Sequence, residues 1–356
     1  MGLTFNYLVF PFLTSLSACL LLAWLAPWLS LVDCPDARKQ HVGEVPVVGG
    51  IAIMLAYVLA VKVRGISGNL LPAVVPVGLM LAVGVVDDVR PLSAKFKLVM
   101  QLFAAWLLLR TSGFALINLP MPGLSEGVPL GFLSIPVSML VIVAVTNAIN
   151  LADGADGLAG GYLLIALVGL GFVAFKASDV TVFLLVAGLV SALLGFLVCN
   201  ARHPWQARAR VFMGDAGALA LGILVCWFSI MLSRGSRPAM PSVLLFYVVA
   251  LPVMDMVTVS IRRVLRGVSP MRPDRTHLHH LLLYKGYSVE LSVPMLWLVD
   301  ALLVGLGLGQ WLLGVPAGVM LAVFAILLAA KMVWLRVWDE AATQQASKVI
   351  EGEGGK

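Results

Sequence analysis

Long apolar segments separated by short polar loops recur along almost the whole chain. A helix that crosses a bilayer needs roughly 20 mostly apolar residues. Only 12% of the 356 residues are charged and 61% are hydrophobic, about half the charge of an average soluble domain. The sequence therefore predicts an all-α polytopic membrane protein. We expect about eleven transmembrane helices, at residues 6–31, 46–63, 69–86, 97–110, 129–149, 158–175, 180–199, 217–233, 241–261, 291–313 and 316–335.

The distribution of lysine and arginine predicts the orientation of these spans. The loops after odd-numbered spans, together with the C-terminal tail, carry 17 Lys and Arg residues, and the even-numbered loops carry six. The positive-inside rule therefore places the N-terminus in the periplasm and the C-terminus in the cytoplasm. The net charge of +6 resides in loops and forms no basic patch interleaved with aromatic residues, so no nucleic-acid partner is expected.

The segment NAINLADGADGLAGG, at residues 147–161, interrupts two apolar spans with amides and acids. Asn147, Asn150, Asp153 and Asp156 recur every three residues, roughly along one side of a helix and its continuation. A charge at membrane depth costs at least a few kcal/mol. The segment therefore predicts a site for a cation or a phosphate, with an interhelical hydrogen-bond cluster as the alternative.

Two adjacent acids, Asp87 and Asp88, end an apolar run and precede Arg90, Lys95 and Lys97. Adjacent carboxylates at a helix end can hold Mg²⁺, which prefers oxygen ligands. One of them can instead act as a base whose pKa its neighbour raises. The alternative is a solvated helix end neutralised by the lysines.

Two further acids lie near or within predicted spans. Asp215, in MGDAGA, comes just before the eighth span, where it is either a site residue or an ordinary helix cap. Asp255 lies inside the ninth span, with Pro252 as a possible helix break before it and Arg262 seven residues after it. Because intramembrane acids are usually partnered, we interpret Asp255 as a member of a structural pair or as part of a helix break.

Three histidines, His277, His279 and His280, follow Arg272 and Arg275. Three imidazoles in four residues suit a transition metal, but no cysteine or further histidine supports such a site. Beside arginines they better suit binding of a diphosphate, because guanidinium groups match phosphate geometry. A polar loop with chance histidines is the third alternative.

All of these clusters except Asp255 fall in odd-numbered loops, which we expect on the cytoplasmic face. Acids that recruit a divalent metal, beside Arg, His and Lys, are what diphosphate chemistry requires. We therefore predict one transmembrane catalytic domain over residues 1–340, followed by a cytoplasmic tail over 341–356. Its active-site loops are expected at residues 33–46, 87–97, 150–157, 200–216 and 262–290. A cation-coupled transporter is the non-enzyme alternative, but it predicts acids near the midplane in repeated halves, and no repeat is visible.

At these residues the chain resembles the polyprenyl-phosphate N-acetylhexosamine-1-phosphate transferase superfamily. The resemblance rests on the DD pair with downstream lysines, NxxNxxDGxDGLAGG, VFMGDAG and the HxHH run, in the family's order. The segments VDCPDARKQHVGEVPVVGG and SPMRPDRTHLHHLL look most like the branch of bacterial UDP-GlcNAc:undecaprenyl-phosphate GlcNAc-1-phosphate transferases. The phospho-MurNAc-pentapeptide translocases usually have three consecutive histidines and ten spans.

The resemblance implies that undecaprenyl phosphate attacks UDP-GlcNAc, that UMP leaves, and that undecaprenyl-diphospho-GlcNAc forms. This would be the first membrane step of O-antigen or another cell-surface polysaccharide, at the cytoplasmic face of the bacterial inner membrane. Mg²⁺ or Mn²⁺ is the implied cofactor. Whether the lipid phosphate attacks directly or an Asp first forms a phospho-enzyme stays open. Other UDP-N-acetylhexosamines, such as a 6-deoxy sugar, and phospho-MurNAc-pentapeptide are the alternative substrates.

The resemblance also assigns roles to individual residues. Asp215 and Asn150 would be metal ligands. Asp87 and Asp88 would deprotonate or position the lipid phosphate, or assist with the metal. The remaining assignments are catalytic or nucleotide-site roles for Asp153, Asp156 and His277, and substrate contacts for Asn147, Lys95, Lys97, Arg275, His279 and His280. UDP-GlcNAc, undecaprenyl phosphate and membrane lipid are the implied partners, and a homodimer is a further expectation.

Overall fold

The structure is a computed structural model of the chain. It describes residues 8–34, 43–63, 65, 67–233, 238–269 and 276–353, with the backbone only for 67, 69, 125, 126 and 337–353. Most of the predicted loop at 33–46 and the predicted phosphate ligand Arg275 lie outside the described residues.

The described chain is mainly helical, with two small antiparallel sheets. The helices are α1 Phe10–Leu25, α2 Gly49–Val63, α3 Leu71–Val89, α4 Ala94–Ser112, α5 Ser134–Ala152, α6 Leu158–Lys176, α7 Val180–Asn200, α8 Gly214–Leu232, α9 Leu244–Val248, α10 Ala250–Leu265, α11 Leu278–Tyr284, α12 Val289–Leu312 and α13 Ala317–Glu353. The strands are β1 Val32–Asp33, β2 Val45–Pro46, β3 Asn118–Met121 and β4 Leu124–Pro129.

Seven helical stretches among the described residues are long and apolar enough to cross a membrane. They are Leu71–Val89, Gly131–Ala152, Leu158–Lys176, Val180–Asn200, Gly214–Leu232, Val289–Leu312 and Ala317–Arg336. The helices α1 and α2 are apolar but shorter. The prediction of a helical polytopic membrane protein is thus confirmed, whereas the count of eleven spans and their orientation stay predictions.

Three features of the structure differ from the expected elements. The ninth predicted span is divided into α9 and α10 at Val249, because Pro252 cannot donate the backbone hydrogen bond that would continue the helix. The segment before α5 folds as the hairpin β3–β4, which turns at Gly123 with φ +82° and so departs from an all-α chain. The expected tail continues α13, which runs to Glu353.

Helix α8 lies at the centre of the bundle and is the most deeply buried of the seven candidate spans. Small residues allow its neighbours to approach closely. A Cβ at Gly50 of α2 would collide with the backbone of Gly217, and one at Gly84 of α3 with the backbone of Ala216. Such contacts between small residues are a common means of packing membrane helices. They bring α2 and α3 against the first turn of α8.

Candidate active site

Four helix ends meet at one end of the bundle and bring together side chains distant in sequence. Helix α3 ends after Asp87, α5 ends after Asn150, α4 begins before Lys97 and α8 begins at Gly214. The Lys97 ammonium lies 2.6 Å from Asp87 Oδ2 and 2.9 Å from Asp215 Oδ2. Asn150 donates its side-chain amide to Asp215 Oδ1 at 2.8 Å. Two of the predicted acids, Asp87 and Asp215, therefore contact one lysine.

Asp88 caps helix α8 from a neighbouring helix. Its two carboxylate oxygens accept the backbone N–H groups of Asp215 at 2.9 Å and Ala216 at 3.1 Å. A carboxylate at this position satisfies free donors and complements the positive end of the helix dipole. Gly214 has φ +74°, and a Cβ there would lie 2.6 Å from Asp88 Oδ2. The glycine of MGDAG is thus required for the close approach of Asp88.

This arrangement settles the alternative in which Asp215 itself is the helix cap. Asp88 performs the capping, and the Asp215 carboxylate points to Lys97 and Asn150 instead. The side chain of Asp215 keeps 27% of its surface exposed, so one end of it is open to a ligand. The capping alternative for Asp215 therefore falls away because Asp88 has the capping role, and the role of Asp215 as a site residue stays a prediction.

Asn147 lies one helical turn before Asn150 but has different partners. It exchanges two hydrogen bonds with Gln101 of α4, at 2.7 Å and 3.2 Å. It also donates to the backbone carbonyl of Val143. Buried amide pairs of this kind hold membrane helices together. The contacts of Asn147 thus support a packing role between α4 and α5, and substrate binding by Asn147 stays a prediction.

Asp153 lies in the turn after α5, next to the lysine-centred cluster. Its side chain is partly buried. Burial, together with the negative charges of Asp215 and Asp88, raises the pKa of Asp153 to about 7. A carboxyl group with a pKa near neutrality is a recurrent feature of functional sites.

Asp156 is held away from that cluster by a basic neighbour. Arg202, after α7, donates to Asp156 Oδ2 at 2.7 Å and to Glu290 of α12 at 2.7 Å. Asp156 also accepts the backbone N–H of Ala209 at 3.2 Å. The ionic contacts join the α5–α6 turn, the segment after α7 and the start of α12. Arg202 was not singled out in the sequence, because a basic residue in a basic loop carries no distinguishing pattern.

The three histidines lie at the start of α11 and have different surroundings. His277 contacts Asp255, with 2.9 Å between Nδ1 and Oδ2. His279 is 5% exposed, and its ring lies 4.1 Å from that of His280 between centroids. Burial, together with the nearby His280, lowers the pKa of His279 to about 3. His279 is therefore neutral near pH 7 and cannot bind a phosphate as a cation.

His279 also contacts the turn at residues 153–157, which we call the acidic turn. A Cβ at Gly154 would collide with His279 Nε2. That nitrogen is buried and has no hydrogen-bond partner among the described residues. The glycine next to Asp153 therefore lets the histidine segment approach the turn. Lys95, another predicted substrate ligand, lies two residues before Lys97 in the chain. Its side chain is exposed.

The resemblance implies a divalent cation, and the donor set allows a test of the fit. Asp87, Asp88, Asp153, Asp215 and Asn150 offer oxygen atoms, which Mg²⁺ prefers. Within the described part of the chain, no three His, Cys, Asp or Glu side chains are arranged to hold a metal. Mg²⁺ is commonly bound by one or two carboxylates, with substrate phosphates and water completing its shell. The residues therefore fit a cation that binds together with its substrate.

Comparisons with known proteins identify the family that this chain resembles. Residues 70–233 match the model of glycosyl transferase family 4. The undecaprenyl-phosphate alpha-N-acetylglucosaminyl 1-phosphate transferase of Yersinia pestis is 29% identical over 324 residues, covering 90% of this chain and 88% of the relative. A probable undecaprenyl-phosphate N-acetylglucosaminyl 1-phosphate transferase of Bacillus subtilis (strain 168) is 31% identical over 337 residues, covering 93% and 87%. The Escherichia coli (strain K12) enzyme with the same name as that of Yersinia pestis is 29% identical over 303 residues, covering 84% and 82%.

Proposed function

The chain belongs to glycosyl transferase family 4, and from this premise we propose that it transfers GlcNAc-1-phosphate from UDP-GlcNAc to undecaprenyl phosphate. The products are undecaprenyl-diphospho-GlcNAc and UMP. The family membership confirms the resemblance, and the names of relatives that align over most of the chain support this lipid and this sugar. The proposal places the enzyme in the bacterial inner membrane with its site facing the cytoplasm, which the distribution of Lys and Arg supports.

The observation that carries the proposal is the group of four carboxylates around one lysine. Asp87 and Asp215 bind Lys97 directly, and Asp88 and Asp153 lie beside them. Such a cluster repels a diphosphate unless a cation binds between the carboxylates and the phosphate groups. Phosphoryl transfer relies mainly on positioning and on neutralising the phosphate charges. Carboxylates that can bind a cation, beside an ammonium that can bind a phosphate, are suited to that task.

Asp215 and Asn150 are the proposed ligands of Mg²⁺ or Mn²⁺, which when bound neutralises charge on the nucleotide diphosphate. Asp215 Oδ1 and Oδ2 currently contact Asn150 and Lys97, respectively. Lys97 would exchange one of its carboxylate partners for a phosphate oxygen when substrate binds. Arg275, outside the described residues, remains a proposed phosphate ligand.

The contacts of the DD pair favour direct attack by the lipid phosphate over an aspartyl-phosphate intermediate. Both oxygens of Asp88 accept backbone N–H groups of α8. Asp87 contacts Lys97 at 2.6 Å and the backbone N–H of Leu92 at 2.6 Å. An aspartate that became an acyl phosphate would have to give up contacts of this kind. We therefore propose that a lipid phosphate oxygen bonds to the phosphorus next to the sugar as the bond to UMP breaks.

Purified protein in detergent or vesicles provides the test. The assay supplies UDP-[¹⁴C]GlcNAc and undecaprenyl phosphate with Mg²⁺, and it measures lipid-bound label and released UMP. Asp215→Asn is the site variant. Asp179→Asn is the matched control, because Asp179 caps α7 at the opposite end of the bundle and Asn caps a helix equally well.

We expect label transfer by the wild type and the control, and a loss of at least roughly 100-fold in Asp215→Asn, which exceeds what supporting residues of a metal site usually cost. Full activity with a chelator present, or label transfer without release of UMP, would refute the proposal. Unlabelled UDP-sugars added as competitors distinguish UDP-GlcNAc from a 6-deoxy sugar or phospho-MurNAc-pentapeptide. A cation-coupled transporter receives no support from the clustered acids, because Asp87, Asp88, Asp153 and Asp215 gather at one end of the bundle.

A further inference from the structure

An ion cluster outside the lysine-centred site connects the histidine segment to two helices. Asp255 of α10 lies 2.7 Å from Lys331 Nζ of α13, between Oδ1 and the ammonium. Its Oδ2 atom lies 2.9 Å from His277 Nδ1. The backbone N–H of Leu278 is 3.3 Å from both oxygens. The buried carboxylate therefore has three partners from other parts of the chain.

The partners of Asp255 differ from the one expected from the sequence. The pattern suggested a pair with Arg262 on the same helix, but the structure places the ammonium of Lys331, 76 residues away, at hydrogen-bond distance. Lys331 also donates to Thr258 Oγ1 at 3.2 Å. The side chains of Lys331 and Asp255 are 9% and 14% exposed. An ion pair so deeply buried is favourable only when its remaining hydrogen-bonding groups are satisfied.

The contact with Asp255 determines which nitrogen of His277 carries a proton. An ammonium at 2.7 Å stabilises the ionised form of the carboxylate. An ionised carboxylate only accepts hydrogen bonds, so His277 Nδ1 must be the donor. Neutral His277 therefore has its proton on Nδ1 and a free electron pair on Nε2. The same logic operates in catalytic triads, where a buried Asp fixes the tautomer and orientation of a histidine.

The cluster also fixes the position of the segment that follows His277. The carboxylate of Asp255 holds the backbone N–H of Leu278 at the start of α11. The rings of His277 and His279 are nearly parallel, with centroids 6.2 Å apart. His279 in turn packs on Gly154 in the acidic turn. A shift of the anchor would therefore move the histidines relative to that turn.

We infer that Asp255 and Lys331 are positioning residues for the transfer reaction, which hold His277 as the Nδ1–H tautomer and dock the histidine segment against the acidic turn. This inference rests on the proposed function, because it assigns His277 Nε2 to the substrate side of the site. Lys331 acts through Asp255, since it keeps the carboxylate ionised. Neither residue needs to touch substrate.

The variants that test the inference are Asp255→Asn, Lys331→Met and Lys331→Arg. An Asn presents either an oxygen or an NH₂ group to Nδ1, so it preserves shape without selecting a tautomer. The matched control is Asp300→Asn. Asp300 is a fully buried acid of α12 that also contacts α10, where it accepts the backbone N–H of Leu251 at 3.0 Å, but it lies outside the His277 contacts.

The first measurement is kcat and KM for UDP-GlcNAc between pH 6 and 9, with the melting temperature of each variant. We expect kcat to fall by roughly 100-fold in Asp255→Asn and Lys331→Met, as for misplacement of a reacting group, with KM within a few-fold. Lys331→Arg should restore most of kcat, and Asp300→Asn should match the wild type.

Several charged or titratable groups lie around His277 in the described part of the chain. They are Asp255 and Arg262 on α10, Lys331 on α13, Tyr162 on α6, and His279 and His280 on the histidine segment. Of these, only the two positioning residues are changed, so a loss of kcat that appears in both variants and is restored by Lys331→Arg belongs to the Asp255–Lys331 pair. An unchanged kcat, with only a lower melting temperature, would overturn the inference and leave a purely structural ion pair.

A second measurement keeps the outcome independent of the enzymatic assay. ¹⁵N chemical shifts of labelled histidines in the full chain report the tautomer, with His277→Gln identifying the His277 signals. We expect the Nδ1–H tautomer in the wild type and a mixture in Asp255→Asn. An unchanged tautomer in Asp255→Asn would overturn the inference. A wild type that releases no UMP but shows the expected tautomers would refute the proposed function while the assignment of Asp255 stands.

Discussion

Lys97 and Asp215 lie 118 residues apart in the chain, and the Lys97 ammonium donates to Asp215 Oδ2 at 2.9 Å. The same ammonium contacts Asp87 at 2.6 Å. The positive charge of Lys97 therefore lies between two carboxylates. A divalent ion that bound Asp215 would have to compete with this lysine, and the displaced ammonium would then be available to bind a phosphate.

Replacing Lys97 with Met tests this competition. We expect the variant to bind Mn²⁺ in the absence of substrate roughly tenfold more tightly, a difference of about 1.4 kcal/mol, because two carboxylates lose their internal counter-ion. Its transferase activity should nevertheless fall, because no ammonium remains to contact the phosphates. Titration of Mn²⁺ followed by electron paramagnetic resonance measures the affinity. Weaker binding of Mn²⁺ in Lys97→Met would show that the lysine supports the cation site and does not compete for it.

Gly154→Ala tests the contact between the acidic turn and the histidine segment. The added methyl group would collide with His279 Nε2, so the segment must shift. We expect kcat to fall by on the order of 100-fold, as for a small misplacement of reacting groups. Gly305→Ala on α12 is the control, because its methyl group meets open space. Equal turnover in the two variants would mean that docking at Gly154 has no part in the reaction.

The charge of His279 predicts a pH dependence of stability. Its pKa is about 3 in the folded protein and 6.5 as the ordinary value, so the unfolded chain takes up the proton first as the pH falls. The free energy of unfolding is therefore unaffected by His279 above pH 6.5. Between pH 6.5 and 3 it falls as the pH falls, by no more than about 1.4 kcal/mol per pH unit. His279→Gln cannot titrate, so its melting temperature should fall less over this range. If the melting temperatures of the wild type and His279→Gln fell by the same amount over this pH range, the lowered pKa of His279 would be contradicted.

Asn147 and Gln101 provide a test of packing against substrate binding. If the amide pair holds α4 to α5, Asn147→Ala and Gln101→Ala should each cost about 1–3 kcal/mol of stability, because each leaves a polar partner unsatisfied. Both variants should then keep the KM of the wild type for UDP-GlcNAc. Thermal melting and steady-state kinetics measure the two quantities. A raised KM in Asn147→Ala alone would instead support the substrate role predicted from the sequence.

Several parts of the fold follow from the sequence because they depend on local composition. The apolar segments predict membrane helices, since backbone groups in lipid must be hydrogen-bonded within the chain. The acids at 87–88, 153–156 and 215 are conspicuous because charge at membrane depth needs a reason. Pro252 predicts a break in its helix, which the structure places three residues earlier, at Val249. These conclusions require no knowledge of which helices touch.

The tertiary structure alone decides how the acids divide their roles. Asp87 and Asp88 are adjacent in sequence, yet one binds Lys97 and the other caps α8. Asn147 and Asn150 share a helix face, yet one pairs with Gln101 and the other with Asp215. Lys97 is only ten residues from Asp87 and was a candidate partner in the sequence. The other three pairs join residues more than 40 positions apart, which leave no local pattern.

The partners of Asp255 illustrate the same limit. The local pattern offered Arg262 on the same helix, whereas packing of the last helix supplied Lys331 and the segment before α11 supplied His277. The sequence by itself determined that this chain is a helical membrane protein with an acidic site, because burial and desolvation act on residue types in their local segments. Only the tertiary structure decided which acid caps, which binds the lysine and which orients a histidine, because hydrogen bonds and ion pairs act over about 3 Å between segments that folding brings together.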